Sequence, residues 1–386
     1  MKAAKFGFYE FFSGGGMARL GLGADWRCLA ANDIDEAKAA TYRLKFGVNG
    51  RCPEFRPGSV AGLKPADLPG RADLAWASFP CQDLSLAGYG RGLAGERSGT
   101  FWPFWDLMRA LKSEGRPPRI VVLENVVGAL TSHGGRDFAS IIGALKAEGY
   151  RAGAMTLDAA RFLPQSRPRL FIVAAQSCVP IPSGLQRPEP MPWTSSAALI
   201  TAYGKLEGPL RDGWVWWNLP EPPDRPLRLS DLVELEAAPW DPPEKTQRLL
   251  SLMSEVNLAK IEAAGRAGRR QVGTVYRRTR PDGEGKKVQR AEVRFDETAG
   301  CLRTPAGGSS RQTILVVEGK RVRTRLLTAR ETAKLMGVDP DDYPIPANYN
   351  AAYHLFGDGL AVPVVRWLSC RLLLKLAQSR RVRRVA

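Results

Sequence analysis

Histidine is almost absent, with two residues in a chain of 386. Cysteine is sparse: six residues, at 28, 52, 81, 178, 301 and 370, with no pair at CxxC spacing. So few soft ligands, so scattered, predict neither a zinc centre nor a disulfide framework, and a reducing cytoplasm is the simpler setting. No apolar run nears the roughly 18 residues of a membrane-spanning helix. The first stretch, MKAAKFGFYEFFSGGG, has Glu10 inside its apolar patch and no small-residue cleavage site after it, so no secretory signal is read there. Acidic residues are also short, 39 against 56 Lys and Arg, a formal net charge of +17. Such an excess fits either a solvated basic surface or a polyanionic partner, most often nucleic acid. Its distribution favours a binding face, because residues 266–330 hold 17 Lys and Arg against 6 acids and the tail SRRVRRVA adds four arginines.

The first 175 or so residues alternate between short apolar runs and helical spacing. KFGFYEFFS, RCLAAND, ADLAWAS, RIVVLEN, RAGAMTLD and RLFIVAA read as strands. EAKAATYRLKF and DFASIIGALKAEG read as helices, the latter ended by Gly149. This rhythm predicts an α/β fold whose mostly parallel, twisted sheet is covered on both faces. Functional groups in such sheets gather at the carboxyl ends of the strands. Ser13, Asp33, Pro80-Cys81 and Glu124-Asn125 all fall at those ends. From about residue 179 the texture becomes Pro-rich and turn-rich, which predicts a smaller, irregular β-rich domain over 179–322 after a first domain at 1–178. The segment 323–386 then returns to the first domain, starting with LLTARETAKLMGV, where Thr328 and Glu331 are spaced as a capping box. Trp214, Trp216 and Trp217 are expected in the core of the small domain rather than on a stacking platform.

Several motifs carry chemistry. FFSGGGMARLGL ends a strand in glycines and opens a helix, which suits a nucleotide-like cofactor or simply a tight turn. It is not GxGxxG, so a nicotinamide cofactor is disfavoured. Asp33 could accept hydrogen bonds from ribose hydroxyls, or the NDID acids could cap a helix. Cys81 follows Pro80 at a strand end and precedes Gly88, Gly90, Gly92 and Gly95, an arrangement suited to a nucleophile beside a closing loop. The other five cysteines read as small buried hydrophobes. Glu124 ends the neighbouring strand, where burial could raise its pKa and let it donate a proton. In PQSRPR, Arg167 and Arg169 have period-2 spacing, so both could face one side of an extended segment.

Taken together and in this order, FFSGGGMARLGL, ANDID, ADLAWASFPCQDLS, ENV, PQSRPR, RLLTARETAKLMG and FGDGLAVPV resemble the cytosine-5 DNA methyltransferase family. The resemblance covers most of the chain outside 180–290. It implies a Rossmann-like methyltransferase domain, a target-recognition domain in the variable region, and S-adenosylmethionine as cofactor. It implies Cys81 as nucleophile toward carbon 6 of cytosine, Glu124 as the group acting on ring nitrogen 3 and the amino group, Arg169 on the base oxygen, and Arg167 near the thiolate. For the cofactor it implies Phe12, the turn Ser13, Gly14, Gly15, Gly16 and Met17, Asp33 on the ribose, and Asp73 on the adenine edge, with Leu74 and Pro80 alongside. Ile34 stands where an aromatic is common, which predicts less extensive adenine packing. Asp358 stands where Asn is usual, and a carboxylate cannot donate the amide's hydrogen bond.

Double-stranded DNA is the implied partner, with its target base flipped out of the stack. Gln82 and Ser85 would face it beside the nucleophile, and Arg303 and Arg311, around a Gly-Ser loop, suit phosphate or base contacts. No metal is implied, and a monomer of bacterial or phage type, within a restriction-modification system, is expected. Two alternatives stand beside this reading: a tRNA cytosine-5 methyltransferase, and a DNA-binding relative without catalysis. The long Arg-rich region favours duplex DNA over the first. The joint presence of Cys81, Glu124 and Arg169 disfavours the second.

Overall fold

The computed structural model describes residues 4–49, 51–80, 100–225, 227–281, 285–303 and 311–379. Two compact units divide the chain, one made of Met1–Leu157, Pro168–Pro222 and Val364–Ala386, the other of Asp158–Arg167 and Pro223–Pro363. These cuts differ from 178/179 and 322/323. The Pro-rich stretch up to Pro222 belongs to the first unit, and the helix Ala329–Leu335 belongs to the second.

The first unit is built on seven strands: β1 (Phe6–Phe11), β2 (Trp26–Asp33), β3 (Phe55–Pro57), β4 (Leu74–Ala77), β5 (Ile120–Val126), β6 (Tyr150–Asp158) and β7 (Pro168–Gln176), in the order β3-β2-β1-β4-β5-β7-β6. β3, β2, β1, β4 and β5 run parallel, and β7 pairs antiparallel with β5. Strands in the middle of such a sheet are buried on both faces, which is why Ile120 to Asn125 has no solvent-facing alternation. One face is covered by α3 (Phe101–Ser113) and α4 (Arg136–Ala147), numbered after α1 (Met17–Leu22) and α2 (Glu36–Phe46). α3 buries Phe101, Phe104, Trp105, Met108 and Leu111, and α4 buries Phe138, Ile141, Ile142 and Leu145. Their three- and four-residue spacing puts each set on a single helical stripe, and each large side chain fully buried contributes roughly 1.5–3 kcal/mol.

The tryptophans are core residues, but of this first unit. Trp214 packs on Phe138 and Tyr203, and Trp216 is in van der Waals range of Tyr203, with ring centroids 4.8 Å apart. Their segment lies so close to β6 that a Cβ on Gly153 would fall 1.8 Å from the Val215 carbonyl oxygen. Glycine there permits an approach no other residue allows. The C-terminal helical segment also docks here, through Trp26 Nε1 donating to Ser369 Oγ (3.0 Å) and Arg366 donating to the Leu20 carbonyl (3.0 Å).

The second unit holds an antiparallel sheet of β10 (Gln271–Pro281), β11 (Lys287–Arg294), β12 (Thr313–Glu318) and β13 (Arg321–Leu326), ordered β11-β10-β12-β13; β8 (Gln186–Arg187) and β9 (Trp216–Trp217) pair in the first unit. The helix Glu255–Arg266 covers one face, with Ile261 and Ala264 in one cluster with Val275, Val293, Leu315 and Val317. The Thr328 capping box forms as the spacing predicts, and Glu331 also makes a buried ion pair with Arg325, Nη2 to Oε1 2.8 Å. The α/β class, with a mostly parallel sheet and a smaller β-rich part, is thus present. Among the described residues no helix is long and apolar enough to cross a membrane.

Candidate active site

The carboxyl ends of β3, β2, β1 and β4 form one edge, and the glycine turn rises from it. Phe12 has φ of 57°, a left-handed conformation rare for a bulky side chain. The Ser13 N–H bonds the Asn32 carbonyl (2.9 Å), and the Gly14 N–H donates to Asp33 Oδ2 (2.6 Å). Gly16 has φ of 81°, and a Cβ on it would lie 2.2 Å from the Phe46 ring, so glycine is obligatory. Gly15 and Met17 are buried, so Met17 gives the turn only its backbone. Ser13 Oγ is buried without a hydrogen-bond partner.

Asp33 is not the helix cap. That role falls to Asp35, whose Oδ1 accepts from the Ala37 and Lys38 N–H groups. Asp33 instead ties the glycine turn to the start of α2, its Oδ1 accepting from the Asp35 N–H (2.8 Å). Burial raises its pKa against the pull of the Asp35 and Gly14 N–H groups. Next to it Ile34 is 70% exposed, an apolar side chain left on the rim. Sequence reasoning missed β3, and with it Gly58 and Ser59. The Gly58 N–H bonds the Asp33 carbonyl (2.9 Å) and Asn32 Nδ2 donates to the Gly58 carbonyl (2.8 Å), which places this loop on the same edge.

Beneath the turn lies a polar cluster with no sequence signal. Glu10 is 1% exposed and accepts from the Arg19 N–H and the Tyr42 hydroxyl, each at 3.3 Å. Arg19 Nη1 donates to Tyr42 Oη (3.1 Å) and Glu54 Oε1 (2.8 Å). Burial pushes the Glu10 carboxyl up to about 8, with Arg19 and Tyr42 opposing.

Asp73 and Leu74 require correction. Asp73 precedes β4, and its Oδ2 accepts from the N–H of Gly7, at the start of β1 (3.1 Å), while Oδ1 faces Arg119 Nη1 (3.3 Å). Leu74 is fully buried, in register with Phe8 and Ile120. In parallel strands the amino ends lie opposite the carboxyl ends, so neither residue reaches the glycine-turn edge. Asp73 pins strand starts instead of binding adenine.

Cys81, Gln82 and Ser85 lie outside the described residues. β4, which leads to them, ends at Ala77 and is followed by buried Phe79 and exposed Pro80. Asn125 Nδ2 donates to the Phe79 carbonyl (3.0 Å), and Asn125 Oδ1 accepts from the Val126 N–H (2.8 Å). The end of β5 therefore holds the backbone two residues before Cys81. One position earlier, buried Glu124 pairs with Arg169, Nε to Oε1 3.2 Å. A carboxyl and a guanidinium are thus fixed together beside the approach to a thiol, and among the described residues no His, Cys, Asp and Glu group could hold a metal ion.

Residues 6–372 match the family described as C-5 cytosine-specific DNA methylase. The chain belongs to this family. It is 27% identical to the type II methyltransferase M.NlaX of Neisseria lactamica, over 94% of both chains. It is 24% identical to M.HpaII of Haemophilus parainfluenzae, over 96% of this chain and 90% of that one. With M.BsuFI of Bacillus subtilis it shares 34% identity over 174 residues, 45% of this chain and 40% of the relative. A solved mutant of Spodoptera frugiperda DNMT2 superposes with a TM-score of 0.61 at 17% identity, covering 96% of this chain and 99% of that one. That likeness is one of fold.

In this cytosine methylase the two arginines of PQSRPR have separate duties. Strand periodicity begins at Pro168, so Arg167 lies outside it. Its N–H bonds Asp158 Oδ1 (2.6 Å), and its buried guanidinium donates to the carbonyls of Leu302, Gly357 and Gly359 and to Cys301 Sγ, all within the second unit. Arg169 pairs with Glu124 in the first unit. Gln165 works with Arg167: its Nε2 donates to the Leu335 carbonyl (2.7 Å) and its Oε1 accepts from the Leu302 N–H (3.2 Å). Both hold the backbone of Leu302, next to exposed Arg303. Arg311 donates to Asn350 Oδ1 and lies 5.4 Å from the Tyr349 ring centroid. Asp358 ends the helix Tyr349–Asp358 of the second unit and is exposed.

Proposed function

We propose that the protein methylates carbon 5 of a cytosine flipped out of duplex DNA, using S-adenosylmethionine and a transient covalent bond to Cys81. The observation that carries this reading is the Glu124–Arg169 pair beside the Asn125–Phe79 bond, which sets a carboxyl next to the strand leading to Cys81. Carbon 5 of cytosine is a weak nucleophile. Addition of the Cys81 thiolate to carbon 6 makes it enamine-like. Glu124 favours that addition by hydrogen bonding or protonating ring nitrogen 3, and Arg169 both holds Glu124 and offers donors to the base oxygen. Once carbon 5 carries the methyl group, loss of its proton and departure of the thiolate would restore the ring.

The residues of the glycine-turn edge fit the cofactor. Ser13 Oγ is buried and unpartnered, Asp33 is an acceptor at the end of β2, and Ile34 is an exposed apolar side chain beside it. When bound, S-adenosylmethionine supplies a methyl group on positively charged sulfur. Phe12 and the backbone of Ser13 to Gly16 would flank its amino-acid part, and Asp33 its ribose. The Gly58-Ser59 loop replaces Asp73 as the candidate for its base. The second unit, with Arg303 and Arg311, would recognise the target, and Gln82 and Ser85 would face the DNA near Cys81. The similarity to type II methyltransferases supports a place in a restriction-modification system.

The test is DNA containing 5-fluorocytosine, in which fluorine cannot leave as a proton does. Wild-type protein with cofactor forms an adduct that survives a denaturing gel, and Cys81→Ser forms none. An undiminished adduct in the serine variant overturns the assignment. Methylation of tRNA but not of duplex DNA would move the substrate to RNA.

A further inference from the structure

β10 pairs with β12 only from Gln271 to Val275, but with β11 from Thr274 to Pro281. Beyond Val275 the two strands leave the four-stranded sheet and continue as a two-stranded ribbon. At about 3.4 Å per residue, the run from Tyr276 to Pro281 reaches roughly 17 Å past it. The core reaches only to Ala291, opposite Arg277 and bonded through its N–H to the Leu252 carbonyl: Val275, Ala291 and Val293 are buried, whereas Arg277, Arg278, Thr279, Lys287, Gln289 and Arg290 are exposed.

The charge on the ribbon is one-sided. Beyond Val275 the ribbon carries Arg277, Arg278, Arg280, Lys287 and Arg290 and a single acid, Glu292; Arg294, opposite Thr274, is paired with Asp296. Glu292 reaches Arg278 only at 3.9 Å. Arg278 lies directly opposite Arg290. Side chains so paired have Cβ atoms about 4.5–5.5 Å apart, and like charges there destabilise the pairing. Protecting a sheet edge needs charges but not two cations facing each other. Among the described residues, Arg277, Lys287 and Arg290 make no ion pair.

We infer that this ribbon is a second DNA-binding element, whose arginines and lysine neutralise backbone phosphates apart from the base-reading loop near Arg303. The occupant is duplex DNA, because a row of phosphates relieves the Arg278–Arg290 repulsion, which among the described residues is offset only by Glu292 at 3.9 Å from Arg278. The inference rests on the duplex-DNA reading above.

The test is a salt titration of DNA binding by wild type and by the double variant Arg278→Gln, Arg290→Gln, on cognate and scrambled duplexes. Removing two phosphate contacts makes the slope of log affinity against log salt shallower by about 2. Between about 50 and 200 mM salt the wild type then loses about tenfold more affinity than the variant. The loss is equal on both duplexes. Lys287→Gln alone shifts the slope by about 1 and serves if the double variant melts early. An unchanged slope overturns the inference, as does a loss confined to the cognate duplex. Methyl transfer by the wild type on the same duplexes separates the two claims: if it occurs while the variants keep the wild-type slope, only the ribbon role falls. If the wild type methylates no duplex, the proposed function falls, and the slopes still decide whether the ribbon binds phosphates.

Discussion

Arg169 Nε stands 3.2 Å from Glu124 Oε1, joining β7 to β5 at the strand end beside the path to Cys81. The pair gives the carboxyl a fixed position and Arg169 a fixed orientation, with Nη1 donating to the Pro168 carbonyl (2.9 Å). Glu124→Gln keeps the shape but cannot transfer a proton. It is expected to slow single-turnover methyl transfer by about 10²–10⁴ while DNA affinity changes little, as for a group acting in the transition state. Arg169→Lys keeps the charge but loses the planar fork, so it too lowers the rate. Equal single-turnover rates for the Glu124→Gln variant and the wild type would make Glu124 a structural residue.

The two aspartates near strand ends separate cleanly. Asp33 is on the glycine-turn edge and Asp73 at the opposite end of the sheet. Asp33→Asn is expected to weaken S-adenosylmethionine binding by about tenfold or more, the loss of a charge-assisted hydrogen bond. Asp73→Asn leaves that affinity unchanged and lowers thermal stability through Arg119. Calorimetric titration of both variants checks this. A weaker cofactor affinity in the Asp73 variant than in the Asp33 variant would return adenine binding to Asp73.

The sequence made the strands of the first sheet legible because each is a run of apolar residues broken by turns. β3 escaped because Phe55–Pro57 is three residues long and ends in proline, which suits only an edge. The capping box was legible because it is a local rule, whereas the Arg325 partner of Glu331 sits six residues upstream on a strand and shows no pattern. Arg167 and Arg169 shared a spacing, but the chain passes from one unit to the other between them, and periodicity does not reveal such a boundary. Asp73 was misplaced because an acid beside a strand looks alike at either end. Only the direction of the strand decides which side of the sheet it serves.

Glu331 and Arg325 are 1% and 3% exposed at their side chains. Glu331 also accepts from the N–H groups of Thr328 and Glu234. Burial would raise its pKa, but Arg325 and these N–H donors outweigh it and hold the carboxyl below its ordinary 4.5. Glu331→Ala leaves a buried guanidinium unpaired and is expected to cost about 3–5 kcal/mol. Because the folded pKa is depressed, the stabilisation is present above pH 4.5 and lost as pH falls through the folded value. Denaturant melts at neutral and acid pH check both statements. A variant within about 1 kcal/mol of wild type at neutral pH would contradict the pair's role.

Glu10 has the opposite sign. Its carboxyl is buried under the glycine turn, faced by Arg19, Tyr42, Cys28 and Asp33, and burial lifts it from 4.5 to about 8. A raised folded pKa means the folded state holds a proton that the unfolded state has released. Stability attributable to this site is therefore full below pH 4.5 and declines as pH rises through about 8, beyond which both states are ionised and the slope ends. Glu10→Gln has no proton to lose, and its amide oxygen can still accept from the Arg19 N–H. The wild type is expected to lose melting temperature between about pH 5 and 8.5 more steeply than the variant, and the two curves should converge or cross toward the acid end. The same shift predicts that alkaline pH loosens the glycine turn, so cofactor affinity should fall with pH in the wild type and less in the variant. Parallel melting curves across that range would show that Glu10 does not titrate there and that another group governs the alkaline limb.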